Sequence, residues 1–413
     1  MIRLIYRVLV WLALPAALVR LVWRAQRQPE YLRNLSERFG HSLATAGGRP
    51  IWIHAVSVGE TRAAEPLIRA IQARNPGIPI LLTCTTPTGR ASGEQLFGRT
   101  VKQAYLPYDL PHVIRRFLRA HQPRLCVLME TELWPELILG CHKQAIPLYI
   151  VNARLSERSA RRYAYASSFT SQVFNATKAI ATQSQGDTER FLALGAQQVV
   201  TCGNLKFDRS AQPSDFLLAE EFRRRIGARP VLLVASTRQG EEALFLQAWQ
   251  GVSRRDVLLV LVPRHPQRFG EVAKLIEQHG LHHQRRSLDE PVNPATHVWL
   301  GDSMGEMFAY FAACDVAVIG GGFLELGGQN LLEACAVGKP VIVGPHMFNF
   351  EDATRSALKA QAAMQVHSAS EAIDLGLALL KEPGRLHTMG KAGRALMQAH
   401  EGATRRILET LGL

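Results

Sequence analysis

Two acidic residues follow apolar, strand-like runs in the first half of the chain. Glu60 stands four residues after the run 51–56, and Glu130 directly follows the run 125–129. Because parallel strands end at one edge of their sheet, we expect both carboxylates at that edge, where one could act as general base for a hydroxyl nucleophile. The alternative for each is a capping role at the start of the helix that follows.

Basic residues follow the later strand-like runs of the same half. Four arginines lie within the nine residues 154–162, after the run 148–152, and Lys206 follows the run 199–202. Guanidinium groups pair well with phosphates and anionic headgroups, so these positions could contact an anionic substrate or a membrane surface. A solvated helix face that carries the arginines is the alternative.

A glycine-rich stretch, 320–328, is the densest motif of the second half. It holds five glycines between a strand-like run and a helix start. Glycine lets backbone N–H groups approach an oxyanion, and a helix start favours negative charge, so we expect a nucleotide-sugar phosphate there, with Glu333 at a ribose hydroxyl. The stretch matches neither a P-loop nor a G-x-G-x-x-G fingerprint, and a purely structural turn is the alternative.

Two other motifs of the second half also lie at strand ends. Arg264 follows the apolar run 257–262 and suits a phosphate, while 301–306 ends a strand and starts a helix. No metal or cofactor is expected, because the histidines are not spaced with carboxylates or thiols in a ligand pattern. No G-x-S-x-G elbow occurs either.

The elements that must position these residues form a repeated strand–helix pattern from residue 50 onward. Near-continuous apolar runs separated by helical patterns predict parallel sheets covered on both faces. We therefore expect an α/β protein with two doubly wound domains that face each other across a cleft. The predicted strands are 51–56, 80–85, 125–129, 148–152, 179–183, 199–202, 231–235, 257–262, 298–301, 316–319 and 341–343.

The predicted domains follow from composition. Residues 1–24 form a membrane anchor, 25–208 a first Rossmann-like domain, 209–227 a linker, and 228–413 a second Rossmann-like domain. The linker prediction rests on Gln212-Pro213-Ser214 and on the polar run 220–225.

The first 24 residues are typical of a membrane-binding helix. Residues 4–23 are apolar apart from Arg7 and Arg20, but the charge-free core 8–19 is only twelve residues long, whereas a span needs about 20. Arginines near the ends could snorkel, so the segment either spans the bilayer or lies in its interface. No small-x-small cleavage site follows, which disfavours a signal peptide, and a buried helix of a soluble protein is the remaining alternative.

The flanking charges predict the orientation of this segment. The arginines at positions 20, 24, 27, 33 and 38 follow its core, and two precede most of it. The positive-inside bias then places the body of the protein in the cytoplasm.

Charge is divided unevenly over the 413 residues. Lys and Arg number 48 against 35 Asp and Glu, but residues 1–206 hold 26 basic and 12 acidic residues, so the first half carries the whole excess. Such an excess suggests that the first half meets something anionic, such as a membrane surface or an acidic substrate. Nucleic acid is not expected as a partner, since no aromatic and basic surface accompanies the charge.

Composition excludes several classes of protein. Apolar residues make up 47% of the chain, too many for a disordered protein. The six cysteines are scattered and form no C-x-x-C pair, which excludes a disulfide scaffold and a zinc ribbon and fits a reducing compartment.

Several motifs together resemble the 3-deoxy-D-manno-octulosonic acid (Kdo) transferases of lipopolysaccharide assembly. They occur in order along roughly four-fifths of the chain, and their combination is specific although each alone is weak. The matching segments are 54–60, 129–135, 152–159, 204–208, 263–266, 327–334, 338–342 and 344–350.

The resemblance implies a fold, an activity and a set of site residues. The fold is GT-B, two Rossmann-like domains, and the activity is transfer of Kdo from CMP-Kdo to a lipid A precursor, lipid IVA. Glu60 is implied as general base, with Glu130 and Lys206 as transition-state supports. The positions implied to bind CMP are Pro263, Arg264, Met304, Gly305, Glu306, Asn330, Leu331, Leu332 and Glu333.

The chain departs from the family pattern at a few positions. Gln329 and Leu331 stand where the family often has His and Pro, and Arg238 stands where it often has His. Two rival functions remain open from the residues themselves. One is a GT-B enzyme that uses a UDP-sugar, and the other is a non-enzymatic scaffold that binds anionic membranes.

Overall fold

The computed structural model describes residues 2–26, 28–42, 48–252 and 256–413. Arg27, one of the arginines counted after the apolar segment, lies outside the described residues. The chain forms two compact units. Unit 1 comprises Met1–Asp208 with Glu401–Leu413, and unit 2 comprises Arg209–His400.

Each unit is built on one seven-stranded sheet in which every described pairing is parallel. The strands of unit 1 are β1 (Ile51–His54), β2 (Ile80–Cys84), β3 (Val101–Tyr105), β4 (Leu125–Met129), β5 (Leu148–Ala153), β6 (Ala179–Thr182) and β7 (Val199–Thr201). The strands of unit 2 are β8 (Val231–Thr237), β9 (Leu258–Pro263), β10 (His283–Arg285), β11 (Val298–Leu300), β12 (Val316–Ile319), β13 (Val341–Val343) and β14 (Ala363–Gln365).

Helices connect and cover the strands. Along the chain they are α1 (Ile2–Ala25), α2 (Leu35–Arg38), α3 (Val58–Ala63), α4 (Glu65–Arg74), α5 (Pro87–Phe97), α6 (Pro111–His121), α7 (Pro135–Lys143), α8 (Glu157–Ala164), α9 (Ser167–Asn175), α10 (Gln185–Ala193), α11 (Pro213–Ile226), α12 (Glu241–Gln250), α13 (Phe269–Gln278), α14 (Met307–Ala313), α15 (Leu332–Ala336), α16 (Glu351–Lys359), α17 (Ala369–Leu379), α18 (Pro383–His400) and α19 (Ala403–Leu411).

Strand order identifies one crevice in each sheet where a ligand can bind. The order in unit 1 is β3-β2-β1-β4-β5-β6-β7, and in unit 2 it is β10-β11-β9-β8-β12-β13-β14. The direction of winding reverses between β1 and β4 and between β8 and β12. In open α/β sheets ligands collect at the carboxyl ends of strands at such reversals, so the loops after these four strands are the ones to inspect.

The fold predicted from the sequence is confirmed, and the structure adds three strands. All eleven predicted strands are present, with bounds that differ from the predicted ones by at most two residues. The additional strands β3, β10 and β14 each lie at a sheet edge. An edge strand has one hydrogen-bonded neighbour and needs less apolar surface, so polar sequences such as His283-Gln284-Arg285 give no strand signal.

The domain limits differ from the predicted ones at two places. The expected linker 209–227 contains α11, whose Phe222 is buried in unit 2 with its ring edge-on to Trp299 at 5.1 Å between centroids. The last thirteen residues return to unit 1, where Ile407 and Leu408 of α19 are buried in the core beneath its sheet. The return of the chain to unit 1 is fixed by Asp208, which accepts the backbone N–H of Gly402 at 2.7 Å.

The first helix has the length and composition of a membrane-crossing helix. Its 24 residues include an apolar 18-residue window in which no residue is buried inside the protein. Pro15 lies inside the helix.

Candidate functional site

The crevice of unit 1 contains a helix start built around Glu60. Ser57 is the N-cap of α3, and its hydroxyl donates to Glu60 Oε1 at 3.2 Å. Glu60 Oε2 accepts the backbone N–H of Val56 at 2.8 Å. The carboxylate therefore does cap the helix, as the alternative interpretation expected, and these bonds also hold it at the end of β1.

Burial and neighbouring acidic residues strongly raise the pKa of Glu60. Burial raises the pKa of Glu60 from 4.5 to about 8, with further contributions from the negative charges of Glu130 and Glu132. Burial likewise raises the pKa of Glu132. Three carboxyl groups from the loops after β1 and β4 thus share one site, and at neutral pH Glu60 is close to its titration point, which suits proton transfer.

Glu130 is held in an uncommon backbone conformation. Its φ is +56°, in the left-handed region that non-glycine residues rarely adopt, and its N–H donates to the carbonyl of Val151 at 2.9 Å. The adjacent strand β5 also has a left-handed residue near its end, Asn152, with φ +53°. Such strain at neighbouring strand ends is typical of functional sites.

Lys206 lies after the edge strand β7, three strands away from β4, but side-chain hydrogen bonds draw its segment inward. The N–H of Leu205 donates to Asn152 Oδ1 at the end of β5, at 3.0 Å. Asn204 Nδ2 donates to Gln183 Oε1 at 3.0 Å, and Asn204 Oδ1 accepts the N–H of Lys206 at 3.0 Å. The Lys206 backbone is thereby carried over the ends of β6 and β5 toward the acidic site.

Three of the four arginines of the predicted cluster lie on α8, and Arg154 precedes the helix. Helix α8 buries none of its residues, and Tyr165 just beyond it is 92% exposed. A surface recess of about 630 Å³ is lined by Ser156, Glu157, Arg158, Arg161, Arg162 and Tyr165. An open, cationic recess beside an exposed aromatic ring suits an anionic group on a large ligand better than a small enclosed one.

In unit 2, arginines converge at the ends of β8 and β9. Pro263 ends β9, and the N–H of Arg264 donates to the carbonyl of Thr237 at 2.9 Å. Burial lowers the pKa of His265, and the positive charges of Arg238, Arg264 and Arg268 lower it further. The charge at this strand end therefore favours an anion.

The second predicted motif of unit 2 lies in the loop between β11 and α14. Gly305 has φ +84°. Glu306 accepts hydrogen bonds from Arg286 Nε at 3.2 Å and from Ser303 Oγ at 2.5 Å, while Met304 is exposed. The loop is thus held in a defined conformation with Met304 facing solvent.

The third predicted segment surrounds the short helix α15. Asn330 Oδ1 accepts the N–H of Leu332 at 3.1 Å, and Asn330 Nδ2 donates to Glu333 Oε1 at 3.2 Å. Glu333 is buried and also pairs with Arg209. The carboxylate that was expected to meet a ribose hydroxyl therefore has two protein partners in this state.

The glycine-rich stretch differs from the expected phosphate cradle. The buried carboxylate of Glu241 accepts the N–H of Gly321 at 2.6 Å and that of Phe323 at 2.9 Å. The glycines also permit close packing, since a Cβ at Gly344 would lie 2.3 Å from the carbonyl oxygen of Gly322. These two N–H groups are satisfied internally, so the structural interpretation holds for this part of the stretch.

The structure brings together some of the predicted residues within each unit. Glu60 and Glu130 share the crevice of unit 1, and Arg264 shares the end of β9 with Arg238. Sequence reasoning missed Glu132 and Glu241, both of which follow strands at the reversals. Their acidic type at a strand end was the available signal, and the same signal singled out Glu60.

Comparisons with known proteins agree with this geometry. The family profile described as "3-Deoxy-D-manno-octulosonic-acid transferase (kdotransferase)" matches residues 33–209. A 3-deoxy-D-manno-octulosonic acid transferase of Bordetella pertussis is 45% identical over 390 residues, covering 91% of this chain and 90% of that protein. One from Haemophilus influenzae is 36% identical and covers 99% and 98%.

A solved structure supports the fold independently. A UDP-GlcNAc 2-epimerase from Neisseria meningitidis has a TM-score of 0.58 at 15% identity, and the match covers 88% of this chain and 99% of that one. Its fold places the chain among the GT-B proteins. With this fold and with the two relatives aligned over nearly their whole length, the chain belongs to the 3-deoxy-D-manno-octulosonic acid transferase family and is a glycosyltransferase.

Proposed function

We propose that this enzyme transfers Kdo from CMP-Kdo to a lipid A precursor, lipid IVA, with inversion at the anomeric carbon and with Glu60 as general base. The observation that carries the proposal is the acidic site at the β1/β4 reversal, where burial and two neighbouring carboxylates raise the pKa of Glu60 to about 8. A base whose pKa lies near the working pH is strong enough to take the proton and is still ionised in a substantial fraction of the molecules.

In this mechanism the acceptor hydroxyl lies beside Glu60. The proton moves to a Glu60 oxygen as the acceptor oxygen attacks the anomeric carbon, and the bond from that carbon to the CMP phosphate breaks. CMP leaves with the bonding electron pair as a phosphate monoester, which is already a stable anion. One base without a second nucleophile is the pattern of a single displacement, so the configuration inverts.

The raised pKa makes this proton transfer easier. Protonation of Glu60 removes one negative charge from a site that also holds Glu130 and Glu132, so it relieves repulsion there. Lys206, whose segment is drawn toward the same site, supplies positive charge for the transition state, in the supporting role proposed for it and for Glu130.

The donor is proposed to bind unit 2. Arg264, with Arg238 nearby, would hold the phosphate, and preorganised positive charge there offsets the charge that develops on the leaving group. Met304, Gly305 and Glu306 would contact the nucleotide, as would Asn330, Leu331, Leu332 and Glu333. A ribose hydroxyl that donates to Glu333 replaces part of the pairing with Arg209.

The acceptor is proposed to reach unit 1 from the membrane. Helix α1 attaches the chain to the inner membrane with its body on the cytoplasmic side, and the arginines of α8 meet phosphates of the acceptor or of surrounding lipids. Two features support this arrangement, namely the positive excess of residues 1–206 and the exposed apolar surface of α1.

Replacing the base tests the catalytic assignment. Glu60→Gln should lower turnover by about 10²–10⁴-fold while CMP affinity stays unchanged, measured by product formation and by calorimetry. Glu94→Gln is the matched control, since Glu94 is an exposed glutamate of the same unit that pairs with Arg90 on its own helix. Near-normal turnover of Glu60→Gln would remove Glu60 from the role.

The donor site has a test of its own. Arg264→Ala should weaken CMP binding by about 10-fold or more, because a charge-assisted contact to phosphate is lost. Arg355→Ala, on the exposed face of α16 where Arg355 pairs with Glu351, should leave the affinity unchanged. Equal CMP affinity of the Arg264 variant and the wild-type protein would refute the assignment.

A further inference from the structure

The start of α1 and a segment that follows its end are both attached to the body of unit 1. At its start, Arg3 and Arg7 both donate to the carboxylate of Glu136, each with Nε to Oε1 at 2.8 Å and Nη2 to Oε2 at 3.0 Å. Glu136, in the first turn of α7, is only 3% exposed. This pairing joins two partly exposed arginines in the first turns of α1 to a buried carboxylate in the body of the unit.

Two aromatic residues extend this attachment. The hydroxyl of Tyr6 donates to Asp109 at 2.7 Å, and Asp109 also accepts the N–H groups of Glu136 and Leu137, at 3.0 and 2.8 Å. The ring of Trp11 stacks on His112, with centroids 5.5 Å apart and an angle of 12°. We call the contacts of Arg3, Tyr6 and Arg7 with Asp109 and Glu136 the clasp.

The chain returns to the same unit soon after α1 ends. Arg38 lies with its guanidinium 4.1 Å from the ring centroid of Tyr105 and donates to the carbonyl of Thr85 at 2.9 Å. The carbonyl of Arg38 accepts the N–H of Tyr108 at 2.8 Å. A helix that crosses a bilayer has its ends on opposite sides, whereas here the start of α1 and Arg38, which follows thirteen residues after the helix ends, are bound to the same globular unit.

The outer face of α1 is apolar and exposed. Ten of the twenty large exposed apolar side chains in the described ranges belong to this helix, among them Leu12 at 71% and Val19 at 70% exposure. Apolar patches of that extent mark an interaction with a membrane or with another protein.

Charge next to this face favours a lipid surface. Tyr6 contacts Phe169 of α9, with ring centroids 6.2 Å apart, and α9 follows directly on α8 with its exposed arginines. Arg20, on α1 itself, is also exposed. An apolar helix face bordered by arginines is the pattern of an in-plane helix at an anionic bilayer.

We infer that α1 does not span the membrane but lies in its interface, held along unit 1 by the clasp, so that its exposed apolar face binds an anionic lipid bilayer and the start of the helix stays on the side of the body. The inference rests on the proposed membrane attachment and specifies its mode. This arrangement also links the bilayer to the acidic site, because Glu136, in the first turn of α7, is six residues after Glu130.

Cysteine labelling tests the topology. All six native cysteines are buried, so an added cysteine is the reactive one. A cysteine inserted directly after Met1, ahead of the apolar face, and, on the body, Tyr165→Cys are labelled with a membrane-impermeant maleimide in spheroplasts and in inverted vesicles. Labelling of both variants in the same preparation is the expected result, and labelling in opposite preparations would overturn the inference while leaving membrane attachment intact.

Vesicle binding tests the surface. Leu12→Glu combined with Val19→Glu should weaken binding of the full chain to phosphatidylglycerol vesicles by at least about 10-fold, because two exposed apolar groups no longer enter the interface. Leu217→Glu in unit 2 is the matched control, since Leu217 is 67% exposed. Unchanged binding of the α1 variant would overturn the assigned surface. A wild-type chain that binds no vesicle would contradict the membrane attachment itself.

Discussion

Glu60 is a capping residue and the proposed base at once. Its hydrogen bonds with Val56 and Ser57 fix the carboxylate, while burial and the charges of Glu130 and Glu132 make ionisation costly. The sequence offered these two roles as alternatives, and the geometry joins them. Spacing along the chain could identify the carboxylate, but its pKa depends on neighbours 70 residues away.

The pH dependence of turnover follows from this residue. A base must be ionised to accept a proton, so turnover should rise with pH and level off above about pH 8, near the pKa of Glu60. Glu130→Gln removes a neighbouring negative charge, which should lower the pKa of Glu60 and move the rising limb to lower pH even though turnover falls. A pH–rate profile of the variant with an unmoved limb would contradict the coupling.

The same shift predicts a change in stability. The folded protein holds the Glu60 proton more tightly than the unfolded chain, so between about pH 4.5 and pH 8 the free energy of unfolding falls as pH rises. Glu60→Gln removes this pH-dependent loss in the free energy of unfolding, because glutamine does not ionise. The Tm of the variant should therefore exceed that of the wild-type protein near pH 9, and the difference should shrink near pH 5, as measured by thermal unfolding.

At the scale of elements, side-chain hydrogen bonds rather than strand order bring the site together. Asn204 links the Lys206 backbone to Gln183, and Asn152 accepts the neighbouring N–H. The order of the strands leaves Lys206 at a sheet edge. Local sequence patterns could place it after a strand, but the inward displacement depends on three amide side chains from different loops.

Loss of this link should lower turnover. Asn204→Ala should reduce kcat by about 10-fold with little change in KM, since it misplaces Lys206 without touching the donor site. In a Lys206→Ala background the same change should have little further effect, because residues that act through one another are not additive. Equal losses in both backgrounds would mean that Asn204 acts only on stability.

Glu241 plays a comparable part in unit 2. Its carboxylate accepts N–H groups from the loops after β8 and β12, namely those of Arg238, Gly321 and Phe323. Glu241→Ala should cost about 2–5 kcal/mol of stability, because buried donors lose their acceptor. It should also weaken CMP binding by disordering the loop next to Arg264. An unchanged urea midpoint would contradict this account.

At the scale of the whole molecule, the two sheets were predictable and the path of the chain between the units was not. Apolar runs such as 258–263 identify buried parallel strands wherever they occur. Helix α19 has an amphipathic pattern, with Ala403, Ile407, Leu408 and Leu411 buried, but a pattern does not say which sheet it covers. The expected linker 209–227 is a comparable case, since its polar run 220–225 includes Phe222, the residue by which α11 packs into unit 2.

The packing of the C-terminal helix α19 into the core of unit 1 has a measurable consequence. Ile407→Ala should destabilise unit 1 by about 2–5 kcal/mol, the usual cost of emptying a fully buried isoleucine site, although the residue follows unit 2 in sequence. CMP affinity, a property of unit 2, should be unchanged. Loss of CMP binding without a loss of stability would contradict the assignment of α19 to the core of unit 1.

The most direct test of the central claim is mass spectrometry of the lipid product. The full chain is incubated with CMP-Kdo and lipid IVA, with and without Glu60→Gln. The wild-type protein should add Kdo to the lipid and release CMP, and the variant should form the same product about 10²–10⁴ times more slowly. A lipid that gains no Kdo, or a variant as fast as the wild-type protein, would contradict the account.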